Sequence, residues 1–514
     1  MIRKILNKLR SFLFSRVVVV SLLLIMQVAF FVVLLSRLSQ YFIVVSAALE
    51  ILSIIVSLVV FNSNLNPSYK LAFIVPIMLF PLFGGLFYIT VGRPRVSSRF
   101  GRRLHGVEEK IHSTLLLEAP SIQLSKLPSN LLSQSIYLTQ AGFPPFENTD
   151  TTYYKSGEEK FEAIIRALES AKRYIMLEYF IIAEGEMWNR VLEILERKVK
   201  EGVEVRVIYD GLGCLFTLHT NYSKYLNEKG IHCVEFNPYV PILTSLMNNR
   251  DHRKILVTDG HTGFMGGVNL ADEYINVIEK HGHWRDSAIK LHGEAVWSMV
   301  TMFISMWSGV TGEELEISRY RPLPEEISVE STGIVQPYSD SPLDSALVGE
   351  MVYLNMINRA NRYIYICTPY LIIDNETSTA LLLAAQSGVD VRIMTPHIAD
   401  KWYVHLISRA HYPHLVKGGV KIYEYTPGFV HSKTFVSDDA VATVGTVNLD
   451  YRSLYLHFEC GVWMANTASV VDIREDFLNT LEQCEQITLD SPIMNARFPK
   501  RLARAILKIF APLM

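Results

Sequence analysis

Three long apolar runs dominate the first hundred residues of the chain. Residues 17–36 and 71–92 contain no charged side chain, and residues 38–61 contain only Glu50. Each run is about as long as the helix of roughly 20 residues that crosses a bilayer. The first run is too long for the apolar core of a secretory signal peptide, and no small-residue cleavage site follows it. The pattern therefore predicts a membrane anchor over residues 1–95.

The sequence predicts two or three membrane spans. Only the segment SRLSQ separates the first two runs, so they would form a tight hairpin if both cross the membrane. Basic side chains flank the anchor on both sides: Arg3, Lys4, Lys8, Arg10 and Arg16 before it, and Arg93, Arg95, Arg99, Arg102 and Arg103 after it. The positive-inside rule places both clusters in the cytoplasm, whereas three full spans would separate them. The denser cluster adjoins the bulk of the protein. We therefore expect a multi-pass protein of the cell membrane with its large domain on the cytoplasmic side.

Beyond residue 135 the chain repeats one order of helices and strands. EEKFEAIIRALESAKRYIMLEYFII at 158–182 and VYLNMINRANRYIYICTPYLII at 352–373 both pass from an amphipathic helix through Ala-x-Arg-Tyr into a β-rich run. GVEVRVIYD at 202–210 has its counterpart in GVDVRIMTP at 388–396. Strands that alternate with helices in the same order predict two α/β units with parallel or mixed sheets.

A segment with two prolines and clustered charge separates the two copies of the repeat. The predicted parts are a membrane anchor at 1–95, a linker at 96–135, a first α/β half at 136–318, a linker at 319–334 and a second α/β half at 335–514. The second half ends in a predicted basic amphipathic helix, with Arg497, Lys500, Arg501, Arg504 and Lys508 set against Leu502, Ile506, Leu507 and Phe510. Such a helix suits an anionic membrane surface, and docking on the protein's own core is the alternative.

Composition narrows the class of protein. Hydrophobic residues make up 49% of the 514 residues and the net charge is −2, so a large core is available and nothing indicates a nucleic-acid partner. The five cysteines are scattered without paired spacing. This argues against a disulfide framework and against a zinc site, and it fits a reducing compartment.

Residues 252–269 and 431–448 share one pattern of polar residues. Each begins with His-x-Lys, reaches an Asp seven positions after the His, and places Gly and Asn at the same offsets. The residues are His252, Lys254, Asp259, Gly266 and Asn269 in the first copy, and His431, Lys433, Asp438, Gly445 and Asn448 in the second. Both copies read as hairpins, and residues two apart on a strand share a face. Each hairpin therefore offers an imidazole, an ammonium and an amide close together.

These groups suit chemistry at phosphorus. Lysine and amide donors stabilise charge on non-bridging oxygens, and neutral imidazole is a nucleophile or base near pH 7. A two-step transfer needs one group to attack phosphorus and another to protonate the leaving oxygen. The two copies supply both if the halves face each other across a pseudo-twofold axis. The strand parity of Asp259 and Asp438 differs from that of the His and Lys, so either a direct role or a turn-fixing role is open.

His-x-Lys-x4-Asp-x6-Gly-x2-Asn, twice in one chain, resembles the phospholipase D superfamily. Residues 66–92 and the membrane-anchored architecture resemble the bacterial cardiolipin synthases of that superfamily. The resemblance implies two pseudo-twofold-related phospholipase D-like α/β halves packed together behind an N-terminal transmembrane helical region. The family pattern commonly has Ser after the Gly of the returning strand. This chain has Gly267 and Thr446 there, so only Thr446 keeps a hydroxyl.

The resemblance also implies a reaction, in which the phosphatidyl group passes between two phosphatidylglycerol molecules through a phosphohistidine and gives cardiolipin and glycerol. His252 would be the nucleophile and His431 the acid and base. Asp286, in HWRD, would orient His252, and Glu459, in HFEC, would orient His431, although either carboxylate could instead form an ordinary surface ion pair. The proposed stabilisers of phosphoryl charge are Lys254, Lys433, Asn269 and Asn448.

No metal or other cofactor is expected, because the lysines supply positive charge. The expected partners are phosphatidylglycerol and anionic membrane lipids, without nucleic acid, and the sequence does not indicate an oligomeric state. The sequence does not distinguish water from a lipid alcohol as acceptor. Hydrolysis, or another transphosphatidylation at the same site, is therefore the enzymatic alternative. A non-enzymatic membrane scaffold is disfavoured, because both motifs are intact.

Overall fold

The computed structural model describes residues 25–30, 32–33, 42–88, 92, 98–118, 127–239, 248–323, 326–327, 329, 331–343, 346–494 and 498–513. Most of the first apolar run, the basic residues at positions 3–16, and Arg93, Arg95 and Arg497 lie outside these residues. Two compact units are distinguished. The first takes its described residues from Met1–Ser98, Tyr239–Asn249 and Ala505–Met514, and the second from Arg99–Pro238 and Arg250–Arg504.

The first unit contains apolar helices: α1 at Phe42–Phe61, α2 at Pro67–Leu79 and α3 at Pro81–Phe87. Within the described residues, only the segment Ile43–Phe61 of α1 is long and apolar enough to cross a bilayer. The third apolar run, expected as one span, is broken at Phe80 between α2 and α3. Pro81 begins α3 and has no backbone N–H to continue α2, which accounts for the break.

The segment predicted as a linker at 96–135 is largely helical. It contains α4 at Ser98–Glu118 and the start of α5 at Ser129–Gln140. Leu104, Ile111 and Leu115 of α4 are buried in the core of the second unit. Their spacing of seven and four residues places them on one helical face, which packs because its side chains are apolar.

The first half of the repeat follows α5 with alternating strands and helices. In chain order these are β1 Thr149–Tyr154, α6 Gly157–Ser170, β2 Tyr174–Tyr179, α7 Glu186–Lys200, β3 Glu204–Asp210, α8 Tyr222–Glu228, β4 His232–Phe236, β5 Arg250–Asp251, β6 Lys254–Thr258, β7 Thr262–Gly266, β8 His283–Arg285, β9 Ala288–Gly293 and α9 Val296–Thr311. Helix α6 begins where the Ser156 side chain accepts the N–H of Glu159, a capping arrangement that the sequence Ser-x-x-Glu encodes.

The second half repeats this order. Its elements are β10 Ile334–Asp340, α10 Val348–Arg359, β11 Tyr363–Cys367, β12 Leu371–Ile372, α11 Asn375–Gln386, β13 Asp390–Pro396, α12 Trp402–Lys417, β14 Lys421–Tyr425, β15 Gly428–Val430, β16 Thr434–Ser437, β17 Val441–Gly445, β18 Leu449–Asp450, α13 Tyr451–Tyr455, β19 His457–Ala465, α14 Ala468–Leu481, β20 Cys484–Ile487 and α15 Phe498–Phe510. One predicted boundary differs, because β10 already begins at Ile334.

The two sheets have corresponding topologies. The first runs β1-β9-β7-β6-β2-β3-β4, and the second runs β10-β19-β17-β16-β11-β13-β14-β20. Strands β2, β3 and β4 are parallel, as are β11, β13 and β14, and the remaining neighbours along both sheets are antiparallel. The prediction of two similar α/β halves with mixed sheets is confirmed.

Two short strand pairs join the halves. Strand β5 of the first half pairs in parallel with the start of β19 of the second, and β15 of the second pairs in parallel with β8 of the first. One continuous apolar core contains residues of both halves, among them Met265, Ile289, Val444 and Val462. The halves are therefore packed together, and each contributes one strand of each inter-half pair, β5–β19 and β8–β15.

The predicted basic helix is formed as α15. Its Phe498, Leu502, Ile506 and Ile509 side chains are exposed. This arrangement favours the membrane-surface alternative over docking on the protein's own core, because the apolar stripe is left open. The side chains of Lys500 and Arg501 lie outside the described residues.

Candidate active site

The two His-x-Lys segments occupy the same place in each half, immediately before the central strands β6 and β16. His252 and His431 are each only 7% exposed, and both lysines are buried. Each lysine donates to the carbonyl of its own histidine, Lys254 Nζ over 2.6 Å and Lys433 Nζ over a short bond to His431. Each copy of the motif therefore holds its ammonium and its imidazole together, as the strand spacing predicts.

The backbone of each catalytic candidate is held by the opposite half. The N–H of His252 donates to the carbonyl of Phe458 over 2.9 Å, beside the β5–β19 pair. The N–H of His431 donates to the carbonyl of Arg285 over 2.7 Å, beside the β15–β8 pair. Neither half can therefore complete its histidine site alone.

The carboxylates are exchanged between the halves. Nδ1 of His252 lies 2.9 and 3.0 Å from the two oxygens of Glu459, and Nδ1 of His431 lies 2.7 Å from Oδ2 of Asp286. The expected pairing, Asp286 with His252 and Glu459 with His431, is therefore wrong. The reason is the crossed strand pairing, which carries each carboxylate-bearing segment to the histidine of the other half.

This geometry sets the tautomer of both imidazoles. A carboxylate only accepts hydrogen bonds, so Nδ1 carries the proton of each neutral ring and the lone pair lies on Nε2. A negative carboxylate behind the ring also stabilises an imidazolium that forms during a reaction. Both histidines are thereby suited to attack or proton transfer through Nε2.

The electrostatics keep the two histidines neutral. Burial, followed by Lys254, Lys433 and His431, lowers the pKa of His252 well below 6.5. Burial and Lys433 lower the pKa of His431 to about 4, against the opposing effect of Asp286. Burial likewise lowers the pKa of Lys254 to about 8 and that of Lys433 to about 7. An anionic phosphodiester in the site would favour the charged forms of these groups.

The two carboxylates are supported differently. Glu459 accepts the hydroxyls of Thr446 and Ser453, each over 2.5 Å. Asp286 accepts the N–H of Ser287 over 2.8 Å. Among the described residues no hydroxyl donates to Asp286, because Gly267 stands where the second half has Thr446. A Cβ on Gly267 would lie 2.0 Å from Oδ1 of Asp286. The departure from the family pattern is thus explained by space for Asp286, and Thr446 contacts its carboxylate partner instead of a phosphate.

The two asparagines are not equivalent. Oδ1 of Asn269 accepts the N–H of Ile181 over 3.0 Å, and its Nδ2 donates to the hydroxyl of Tyr274 over 2.6 Å. Oδ1 of Asn448 is buried without a hydrogen-bond partner among the described residues. Asn269 is therefore already engaged in holding its loop, whereas Asn448 is available on its oxygen side.

Asp259 and Asp438 lie away from the site, which corrects their inclusion among the catalytic residues. Asp259 follows β6, five residues or about 17 Å of strand beyond Lys254. Its carboxylate accepts three backbone N–H groups, those of residues 172–174, over 2.7–3.0 Å, and Asp438 does the same for residues 361–363. Both residues have positive φ in the hairpin turn, so their role is to join that turn to the start of a neighbouring strand.

The sequence reasoning missed two aromatic neighbours of the catalytic candidates. The ring of His457 lies 5.5 Å from that of His252, and the ring of Trp284 lies 5.3 Å from that of His431. Each stands two positions before the orienting carboxylate, so aligning HFE with WRD would have paired them. Burial lowers the pKa of His457 to about 3, so this third imidazole is neutral.

A buried lysine was also missed. Lys160 of α6 is fully buried, and its Nζ donates to the carbonyl of Val268 over 3.1 Å. Burial lowers its pKa to about 7, although Asp286 acts in the opposite direction. In the second half the hydroxyl of Tyr353 serves the corresponding carbonyl, that of Val447, over 2.7 Å. The two halves thus satisfy the carbonyl before each site asparagine with different groups.

Comparison with known families agrees with this arrangement. The sequence profile described as the phospholipase D-like domain of cardiolipin synthase matches residues 164–296 and 353–481, one region in each half. A second profile, described as the N-terminal region of phospholipase D nucleases, matches residues 51–93.

Individual relatives cover nearly the whole chain. A Streptococcus mutans protein without an assigned function is 43% identical over 88% of this chain and 98% of its own length. A cardiolipin synthase of Alkalihalophilus pseudofirmus is 34% identical over 90% of this chain and 92% of its own. Among solved structures, the phosphatidylserine synthase of Haemophilus influenzae covers 74% of this chain and 98% of its own with a TM-score of 0.55 and 16% identity, which is a similarity of fold.

Proposed function

This chain belongs to the phospholipase D-like cardiolipin synthase family, and on that premise we propose that its two-histidine site transfers the phosphatidyl group of one phosphatidylglycerol to a hydroxyl of a second. The products are cardiolipin and glycerol. One observation carries the proposal: His252 and His431, one from each half, are buried together, and each presents Nε2 because a carboxylate of the opposite half holds Nδ1.

In the first step Nε2 of His252 attacks phosphorus. The N–P bond forms as the P–O bond to the headgroup glycerol breaks. His431, which is protonated on Nε2 once the anionic substrate is bound, transfers that proton to the departing glycerol oxygen. The imidazolium that develops on His252 is stabilised by Glu459. The choice of His252 as nucleophile rests on the resemblance to the phospholipase D superfamily, because the two halves offer similar chemistry.

In the second step a hydroxyl of another phosphatidylglycerol replaces the glycerol. Neutral His431 accepts the proton of that hydroxyl as its oxygen attacks the phosphatidyl-histidine. The N–P bond breaks, cardiolipin leaves, and His252 returns to its starting form. Asp286 stabilises the charge on His431 in both steps, which is consistent with its depressed pKa: burial opposes ionisation, but His431 and Lys433 outweigh it.

Charge on the phosphoryl oxygens is proposed to be stabilised by Lys254, Lys433, the second N–H of Asn269 and the N–H₂ group of Asn448. A bound phosphodiester also raises the pKa of His431, because an anion favours the imidazolium. Substrate binding thereby prepares His431 for its role as acid. Because Lys254 and Lys433 supply positive charge, no step of the proposed reaction uses a cofactor.

The apolar N-terminal helix and the cardiolipin synthase relatives indicate a membrane protein. We propose further that the anchor is multi-pass and that the catalytic half-sites lie on the cytoplasmic side, as the basic residues after the anchor suggest. Cysteine labelling of intact and permeabilised cells tests this. Labelling of a cysteine introduced at exposed Lys224 in intact cells by a membrane-impermeant reagent would contradict it.

The test of function uses the full-length protein in detergent micelles with phosphatidylglycerol. We expect cardiolipin and glycerol in a one-to-one ratio, and loss of both products in His252→Ala and in His431→Ala. His414→Ala, an exposed histidine of α12, is the matched control and should keep full activity. Phosphatidic acid as the sole lipid product would indicate a hydrolase, and cardiolipin formation by either active-site variant would refute the two-histidine mechanism.

A further inference from the structure

His457 is a partly buried histidine to which the proposed reaction assigns no role. Neither of its ring nitrogens has a hydrogen-bond partner among the described residues. Nδ1 lies 3.7 Å from Oε1 of Glu459, which is beyond hydrogen-bond distance. Both nitrogens are themselves buried, and a buried donor and a buried acceptor without partners are unfavourable unless a ligand satisfies them.

The surroundings of His457 offer a set of metal ligands. One nitrogen each of His252 and His457 and one oxygen of Glu459 all lie within 4.8 Å of one another. Ligands of a tetrahedral ion with bonds of about 2.0–2.1 Å lie about 3.4 Å apart, so shifts of a few tenths of an ångström up to about 1 Å would close the three around one ion. Two imidazoles and a carboxylate are a ligand set that zinc uses with a fourth position open.

The corresponding position beside His431 in the other half offers no metal ligand. Trp284 stands beside His431 as His457 stands beside His252, and an indole offers no metal ligand. The pseudo-twofold symmetry is therefore broken, and the described residues hold this ligand set in one half and not in the other. That set includes both His252, the proposed nucleophile, and Glu459, which holds His252 through Nδ1.

We propose that His252, His457 and Glu459 form an inhibitory site for a divalent transition-metal ion such as Zn²⁺. The ion replaces the proton on Nδ1 of His252, which passes to solvent, and takes Glu459 out of its hydrogen bond. A metal on Nδ1 withdraws electron density from the ring and weakens Nε2 as a nucleophile. Mg²⁺ and Ca²⁺ prefer oxygen ligands and should not compete. The inhibitory effect rests on the proposed function of His252, whereas the binding does not.

The first experiment measures binding and needs no substrate. Co²⁺ added to the full-length protein in detergent should give the visible absorption of a four-coordinate site, and Zn²⁺ should displace it. His457→Asn should lose this band, whereas His261→Asn should keep it. His261 is the matched control because its ring lies 5.3 Å from that of His292 at the turn of the β6–β7 hairpin, so it reports zinc binding elsewhere. Absence of the band in the wild type, or its persistence in His457→Asn, would overturn the site.

The second experiment measures inhibition of phosphatidylglycerol conversion by Zn²⁺, with Mg²⁺ and Ca²⁺ at the same concentrations. His457→Asn should retain basal activity and need at least about tenfold more Zn²⁺ for half-inhibition, the scale of loss when metal coordination is disturbed. EDTA should restore the wild type. Equal sensitivity of both proteins would refute inhibition through this site. A protein that shows the Co²⁺ band but makes no cardiolipin would leave the site standing and refute the proposed function.

Discussion

The exchanged carboxylates can be tested by neutralising each of them without changing its shape. Glu459→Gln removes the charge behind His252, the proposed nucleophile, and Asp286→Asn removes the charge behind His431, the proposed acid and base. The two variants should therefore fail at different parts of the reaction. A substrate whose leaving group needs no proton, phosphatidyl-p-nitrophenol, separates those parts.

The size of the effect follows from the contacts of Glu459. Its oxygens accept Nδ1 of His252 over 2.9 and 3.0 Å and the hydroxyls of Thr446 and Ser453 over 2.5 Å each. A glutamine places an N–H₂ group among these donors, so the imidazole loses its charged acceptor and its preferred tautomer. Losses of this kind cost about 10²–10⁴-fold in rate, or about 2.7–5.4 kcal/mol of transition-state stabilisation.

The assay follows the first-turnover burst of p-nitrophenol and, separately, cardiolipin from phosphatidylglycerol. Glu459→Gln should lose about 10²–10⁴-fold with both substrates, because the attack on phosphorus is impaired in each. Asp286→Asn should lose a similar factor with phosphatidylglycerol but keep most of the burst, and mass spectrometry should then find the phosphatidyl group on the peptide that contains His252. The control is an unchanged melting temperature. The opposite pattern, with a retained burst in Glu459→Gln, would refute the crossed assignment.

The buried lysines should set the alkaline limb of the pH profile of kcat/KM. Their pKa values are about 8 for Lys254 and about 7 for Lys433. The positive charge that binds the anion is therefore lost, and kcat/KM falls, as pH rises through 7–8 instead of near 10.5. Lys433→Arg should move that limb to higher pH, and an unchanged limb would contradict the assignment. Asp259→Asn and Asp438→Asn should each lower the free energy of unfolding by about 1–3 kcal/mol, visible as a lower Tm, because the charged acceptor of three backbone N–H groups is lost. The turnover of the folded fraction should not change, and reduced turnover at unchanged Tm would restore a catalytic role. Lys160→Met should flatten the dependence of the free energy of unfolding on pH. The Lys160 ammonium loses its proton at about pH 7 in the folded wild type and only near pH 10.5 in the unfolded chain. The wild type is therefore stabilised by this group as pH rises between those values. Parallel stability curves for the two proteins would contradict the low pKa.

The two halves share a topology and the same central groups, but the surroundings of their histidines differ. His431 lies among Trp284, Tyr274 and Phe429, whereas His252 lies beside Phe180 and His457. Within the part of the chain that the structure describes, Glu459 has two hydroxyl donors and Asp286 has none, because Gly267 makes room for Asp286. Such differences are what a site with two successive roles requires, since the nucleophile and the acid need different environments.

Local pattern was enough to predict the repeated architecture and the central groups of the site. Helical and strand periodicities depend on neighbouring residues, so the α/β order of both halves could be read directly, and the two-residue spacing placed each lysine with its histidine. The same rule predicts that Asp259 and Asp438, at an odd number of positions from the histidines, do not share a strand face with His252 and His431. Strands of five and four residues, β6 and β16, then separate Asp259 and Asp438 from the site by distance, which is also a local property.

Tertiary structure alone decided which groups meet across the halves. The exchange of Asp286 and Glu459 depends on the β5–β19 and β8–β15 pairs, which join residues about 145–207 positions apart and leave no periodic trace in either segment. The burial of α4 in a region that reads as a linker, and the place of His457 beside His252, have the same origin. A sequence encodes the contacts within an element through its periodicity, whereas contacts between elements depend on how whole surfaces pack, and a single residue carries no record of its partner.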